Sequence, residues 1–254
     1  MSEHVRVEKN DGVLAITLAR PERRNAITVA MYATLAEAIE GAASDDDVRV
    51  ITIRGEGRDF AAGNDLADFL TALPRDTTEI PVWRLLRVLA ENQVPLVAAV
   101  HGNCVGIGTT FLLHCDLVIA ATSARFSMPF VDLALVPEAA SSLLLPRLAG
   151  RRGAARYLLL GEPFGADEAL SIGVASHVVE PAALESALAD IVKRVLAKPP
   201  EALRATQKLL RHRTRDEIVE RMQLESQQFA ERLESAEAKQ AITAFFESRG
   251  KRPD

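Results

Sequence analysis

Little in this chain is built for extremes, and each shortage removes a class of function. Cysteine occurs only twice in 254 residues. Cys104 and Cys115 both sit in apolar surroundings and read as two buried thiols, not as a disulfide framework. The five histidines are scattered, and no pair of Cys or His has the spacing of a metal site. His101 and His114 lie in apolar segments, as structural histidines do, while His4, His177 and His212 read as surface or loop residues. The longest apolar stretches, around 94–100 and 117–121, are too short to span a bilayer. The leading MSEHVRVEKN has no apolar core of a signal peptide, and the closing KRPD is not a peroxisomal address. No run of like charge is longer than Asp45-Asp46-Asp47, and the net charge is −5. Neither a nucleic-acid nor a membrane partner is expected, although a local cluster of arginines leaves room for a polyanionic ligand. What remains is 48% hydrophobic and 26% charged, the balance of an ordinary globular protein in a reducing, cytoplasmic setting. A chain of this length buries roughly three-quarters of its unfolded surface and needs no disulfide or metal to hold it.

Periodicity outlines the architecture. Val13 to Leu18, Val48 to Ile53, Leu96 to Val100 and Leu117 to Ala121 are short apolar runs bounded by turn residues, and predict strands. Thr28 can cap a helix reaching about Ala43, with Met31, Leu35 and Ile39 on one face. Further helices are expected over Pro81–Asn92, Thr109–Cys115 and Ser141–Leu148, the last ending at Gly150. Residues 71–81 read as a mobile connection, and 126–140 as an irregular apolar stretch. Strands and short helices alternate to about residue 180, which implies an α/β core. From Leu184 the chain is almost wholly helical. The division expected is a core over 1–195 and a C-terminal helical region over 196–254. The charged tail docks either on a partner subunit or on its own core.

Two turns carry candidate chemistry. In FAAGND, at 60–65, Gly63 permits an unusual turn that leaves the Asn64 amide unpaired. In GNCVGIGTTFLLHCD, at 102–116, the helix after Gly106 opens on unbonded amides with partial positive charge. Two such amides either converge as an oxyanion hole or are an ordinary pair of turns. Gly102, Gly106 and Gly108 do not spell G-x-G-x-x-G, and no Lys-Ser/Thr follows them, so a nucleotide loop is disfavoured.

Taken together, RPERRNAI at 20–27, FAAGND, the Gly-rich turn with its HCD helix end, PFVDLALVPEAASSLLLPRLAG at 129–150 and GEPFGADEALSIGVASHVV at 161–179 resemble the enoyl-CoA hydratase/isomerase (crotonase) family in order and spacing. The resemblance runs over nearly the whole chain. It implies a spiral of ββα units with a C-terminal helical trimerisation region, a homotrimer or hexamer, and an acyl-CoA thioester substrate whose coenzyme A is part of the substrate, with no separate cofactor. By that resemblance the amides of Asn64 and Ile107 form the oxyanion hole, Ile107 following Gly106. The Ala62 carbonyl meets the adenine amino group. Arg23, Arg24 and Ala26 lie where the family meets CoA phosphates and pantetheine, or else are solvated loop residues. Asp65, Leu66, Phe130 and Phe246 complete the expected lining, with Phe245 or Phe246 near a neighbour's CoA. Asp65 also reads as a cap of the helix that follows it.

The acid/base equipment separates the reactions. Hydratases of this family carry two glutamates that hold and split a water. At the matching positions this sequence has Thr110 and Phe130, and neither takes a proton from water at neutral pH. A carboxylate does follow Pro137: Glu138, the position of the lone glutamate in peroxisomal-type Δ3,Δ2-enoyl-CoA isomerases. An apolar pocket of Phe130, Val131, Leu133, Leu135 and Val136 would raise its pKa; Asp132 is a rival acid, and an exposed loop glutamate is the plainer alternative. The resemblance therefore implies a shift of the double bond from 3-enoyl-CoA to 2-enoyl-CoA. The alternatives are a hydratase, a related CoA-ester isomerase of aromatic degradation, and a non-catalytic acyl-CoA-binding protein.

Overall fold

Residues 2–68, 81–211 and 214–250 are described by a computed structural model. The connection expected over 71–81 falls, but for Pro81, outside the described residues, as does His212.

Two sheets organise the chain. The larger contains β1 (Val5–Asn10), β2 (Val13–Leu18), β3 (Val50–Gly55), β4 (Leu96–Val100), β6 (Leu117–Ala121) and β9 (His177–Val179), in that order. Its first pair is antiparallel and the others are parallel. Every residue of β4 is buried, as a parallel strand covered on both faces requires. The smaller sheet joins β5 (Asn103–Val105), β7 (Arg125–Ser127) and β8 (Phe164–Gly165).

Helices close both faces of the large sheet. α1 (Val29–Ala43) starts where the Thr28 hydroxyl accepts from the Met31 amide at 3.3 Å, and buries Met31, Tyr32, Leu35 and Ile39. It packs on α2 (Pro81–Glu91). On the other face Val50, Val97, Ala99 and Ile119 meet Leu184, Leu188 and Ile191 of α6 (Leu184–Leu196). Between α2 and α6 along the chain come α3 (Ile107–Leu112), α4 (Ser141–Leu159) and α5 (Ala166–Ser171). The chain ends in α7 (Pro200–Arg211), α8 (Thr214–Glu234) and α9 (Ala236–Gly250).

Two features depart from the sequence reading, and the tail shows where it docks. β1 was not expected; it is an edge strand, mostly exposed, joined to β2 by a tight turn with both Asp11 (φ 47°) and Gly12 (φ 82°) left-handed. The helix ending at Gly150 (φ 69°, ψ 161°) resumes beyond it, so α4 is two helices across a kink. The tail breaks at Ser235 into α8 and α9, and α8 packs on α2 and α4 of its own chain. Ile218, Met222 and Ile242 are buried there, so these apolar residues need no partner subunit to cover them.

Candidate active site

The two turns are fastened to each other. The Ala61 amide donates to the Asn103 carbonyl at 3.1 Å, and the Val105 amide donates to the Ala61 carbonyl at 2.9 Å. Side by side, the strands then turn away at Gly63 (φ 86°) and Gly106 (φ 55°, ψ −120°). A Cβ on Gly63 would stand 3.1 Å from the Val105 carbonyl oxygen, and one on Gly106 would stand 4.0 Å from the Gly63 Cα. Glycine is required at both positions by backbone conformation, and at Gly63 by space as well. Just past these glycines, neither the Asn64 nor the Ile107 amide donates a hydrogen bond among the described residues. Ile107 is the first residue of α3, where the helix itself leaves the amide free.

Glu138 reaches this place from the third block. Thr110, fully buried one turn into α3, donates its hydroxyl to Glu138 Oε1. On the other side the Tyr32 hydroxyl donates to Asn64 Oδ1 at 2.5 Å. Burial, and then the Glu138 charge, push the Tyr32 phenol well up. Glu138 is half-buried as a residue, but its carboxyl is withdrawn from solvent. Burial raises its pKa to about 8; the Thr110 bond works against the shift and the Glu225 charge adds to it. The expected pocket is only partly dry: Phe130 and Leu135 are buried, whereas Val131 is 45% exposed and forms no part of the wall. Asp132 is exposed on a short 3-10 turn, away from this burial.

The backbone after Glu138 is strained. Ala139 (φ 57°) and Ala140 (φ 55°) both adopt left-handed conformations, at about 1–2 kcal/mol for each non-glycine residue. Such a turn persists only where its surroundings hold it. The buried His114 sits 2.8 Å from the Ala139 carbonyl through Nε2. Burial lowers its pKa to about 4, so the ring is neutral and Nε2 is the donor. Glu225 of α8 accepts from the Ala140 amide at 2.6 Å, the Ser142 amide at 3.0 Å and the Ser142 hydroxyl at 2.5 Å. Ser141 donates back to the Glu138 carbonyl through its amide at 3.0 Å and its hydroxyl at 2.6 Å. Sequence analysis names Glu138, Asn64 and Ile107 as candidates and does not name Tyr32, Ser142 or Glu225.

The arginine loop abuts the first turn. The Ala62 amide donates to the Arg24 carbonyl at 2.9 Å, and the Ile27 amide to the Gly63 carbonyl at 2.8 Å. Arg23 and Arg24 project from this loop exposed, with Ala26 half-buried behind them. Asp65 is spoken for. It accepts from Arg20 Nη1 at 2.8 Å and from the Asp68 amide at 3.4 Å, which caps the helical turn opening at Leu66. Burial would raise its carboxyl, but these bonds outweigh that and hold it below the usual range. Phe246 lies on α9, 42% exposed and edge-on to Phe245. Burial pushes both cysteine thiols well up, so neither is a ready nucleophile. Among the described residues no group of three or more His, Cys, Asp or Glu is placed to hold a metal ion, and no helix is long and apolar enough to cross a membrane.

Comparison with known proteins meets this geometry. The sequence profile of the enoyl-CoA hydratase/isomerase family matches residues 8–252. The chain belongs to that family. A crystal structure of a family member from Pseudoalteromonas atlantica T6c superposes with a TM-score of 0.93 at 39% identity, covering 99% of each chain. The chain is 33% identical to 1,2-epoxyphenylacetyl-CoA isomerase of Escherichia coli (strain K12), over 98% of this chain and 97% of that protein. It is 32% identical to enoyl-CoA delta isomerase 2 of Rattus norvegicus, over 85% of this chain and 56% of that protein. Other family relatives carry hydratase and dehalogenase names. Membership thus establishes an enzyme of CoA-ester chemistry with the crotonase fold, and the choice of reaction falls to the site.

Proposed function

We propose that the protein shifts the double bond of a 3-enoyl-CoA to the 2-position, with Glu138 as the base. One observation carries this reading: a carboxyl whose pKa is raised to about 8 lies beside two turns whose amides at Asn64 and Ile107 are free. Glu138 takes a proton from C2 of the thioester. The negative charge moves to the thioester oxygen, where the two amides stabilise it, each by about 3 kcal/mol. Glu138 then returns the proton to C4, and no water takes part. Thr110 and Phe130 stand where the family resemblance puts the hydratase glutamates, which weighs against hydration. Arg23 and Arg24 meet the CoA phosphates and the Ala62 carbonyl the adenine amino group. Support comes from the bonds that lock the arginine loop to the first turn.

A CoA-ester isomerase of aromatic degradation is the second reading, favoured by the name of the Escherichia coli relative, and it uses the same atoms. Either enzyme is proposed to work as a homotrimer or hexamer, with Phe246 beside a neighbour's CoA. The exposed Leu159, Leu160, Leu209 and Leu210, each at least 66% exposed, support burial in an assembly.

The test is to incubate the protein separately with 3-enoyl-CoA and 2-enoyl-CoA and separate the products. Isomers keep their mass, whereas hydration adds a water. Glu138→Gln keeps size and removes the base. It is expected to lose about 10²-fold or more in turnover, with acyl-CoA binding little changed. A fully active Gln variant would move the base elsewhere.

A further inference from the structure

Glu225 is the unusual residue outside the reacting shell. It belongs to the charged C-terminal region, yet it is only 6% exposed. Its two oxygens accept from the Ala140 amide, the Ser142 amide and the Ser142 hydroxyl. These donors are the opening of α4, where a helix favours an anion. The same donors bound the left-handed pair Ala139 and Ala140, which directly follows Glu138. We propose that Glu225 is a positioning residue for the base: by clasping the Ala140 amide and Ser142 it holds the left-handed turn that aims the Glu138 side chain.

The geometry explains why the clasp comes from another helix. Ala140 is the residue before α4 and has no side chain to cap it, and no side-chain cap is made there. Without an acceptor, the Ala140 amide would be buried and unpaired. His114 holds the Ala139 carbonyl on one side of the turn and Glu225 holds the Ala140 amide on the other. Released from either, two alanines have every reason to return to right-handed backbone, and the Glu138 side chain turns with them. The C-terminal region therefore belongs to the working site through one carboxylate.

The clasp also acts through charge. The groups facing Glu138 are Tyr32 from α1, Thr110 from α3 and Glu225 from α8; Arg221 of α8 reaches Ser142 Oγ at 3.4 Å, and Arg211 acts on His114. Burial pushes Glu225 up, while its Ser142 and Ala140 donors and the Arg221 charge work against that. Its charge then falls on Glu138 and raises that carboxyl further.

This inference rests on Glu138 being the base, so Glu138→Gln is run beside each variant. Glu225→Gln removes the charge and sets an amide group against backbone donors. The expected result is a fall in kcat of about tenfold or more, KM within about twofold, and the acid limb of kcat/KM displaced to lower pH. Unchanged kcat, or a lowered kcat with the limb in place, would overturn the positioning role. Should Glu225→Gln not fold, Glu225→Asp keeps the charge and withdraws it by one methylene. Lowered kcat with the limb unmoved is then expected, and unchanged kcat overturns the proposal. An active Glu138→Gln would sink the base assignment itself; an inactive one beside a wild-type-like Glu225→Gln would sink this inference alone.

Discussion

At the scale of single residues the chemistry turns on one carboxyl and its neighbours. In the proposed isomerisation Glu138 acts as the carboxylate, and burial raises its pKa to about 8, so only a minority of it is ionised at pH 7. Activity should therefore climb with pH through about 8. A kcat/KM profile centred in the ordinary carboxylate range would assign the base to another group. The Thr110 hydroxyl bonds the charged form and holds the pKa down. Thr110→Val should then move the rise to higher pH, the opposite of the displacement expected for Glu225→Gln. The same threonine argues against hydration. With Thr110 and Phe130 in place of carboxylates, addition of water to crotonyl-CoA should be slow or undetectable by the loss of its enoyl absorbance. Turnover near the roughly 10 s⁻¹ typical of enzymes would refute that argument.

At the scale of elements, the free amides exist because two turns lean on each other. Gly106 holds φ 55°, ψ −120°, a region almost reserved for glycine. Gly106→Ala should destabilise the fold by about 1–3 kcal/mol and lower turnover by misaiming the Ile107 amide. Thermal unfolding and kinetics measure the two effects; an active, equally stable variant would show that the turn is not under this constraint. Such turns were legible in the sequence because glycine marks them, and the central strands because both faces are apolar. β1 was missed since most of its residues face water, although Asp11-Gly12 between VRVEKN and VLAITL is a hairpin signal. The resumption of α4 after Gly150 was missed because glycine near a helix end reads as a stop. Glu225 was invisible for a different reason. In a helix carrying many charges nothing local marks the glutamate that turns inward, and only the tertiary contact to Ala140 and Ser142 reveals it.

At the scale of the whole molecule, the tail has two duties that the sequence could not separate. Its apolar residues could dock on a partner subunit or on the chain's own core, and Ile218 and Met222 are buried in that core. Arg232 adds a bond from its Nε to the Ala134 carbonyl at 3.1 Å, close to the site. Deleting residues 216–254 would therefore open the core and remove the Glu225 clasp, whatever the state of assembly. Insoluble or inactive protein from that deletion is expected, but it reports folding. Assembly has to be read on the intact chain. Among the described residues Leu159 and Leu160 at the end of α4, and Leu209 and Leu210 on α7, are the large apolar side chains left most open, at 67%, 66%, 74% and 69% exposure. Closed rotational symmetry would let every subunit cover them with the same surface. Light scattering at micromolar concentration should then give three or six times the chain mass of 27.6 kDa. A mass near that of one chain would mean that these leucines stay in water and that Phe246 serves no neighbour. In the assembled enzyme Phe246→Ala should raise KM for the acyl-CoA and leave kcat and mass unchanged, because the ring would touch the carrier and not the reacting carbons.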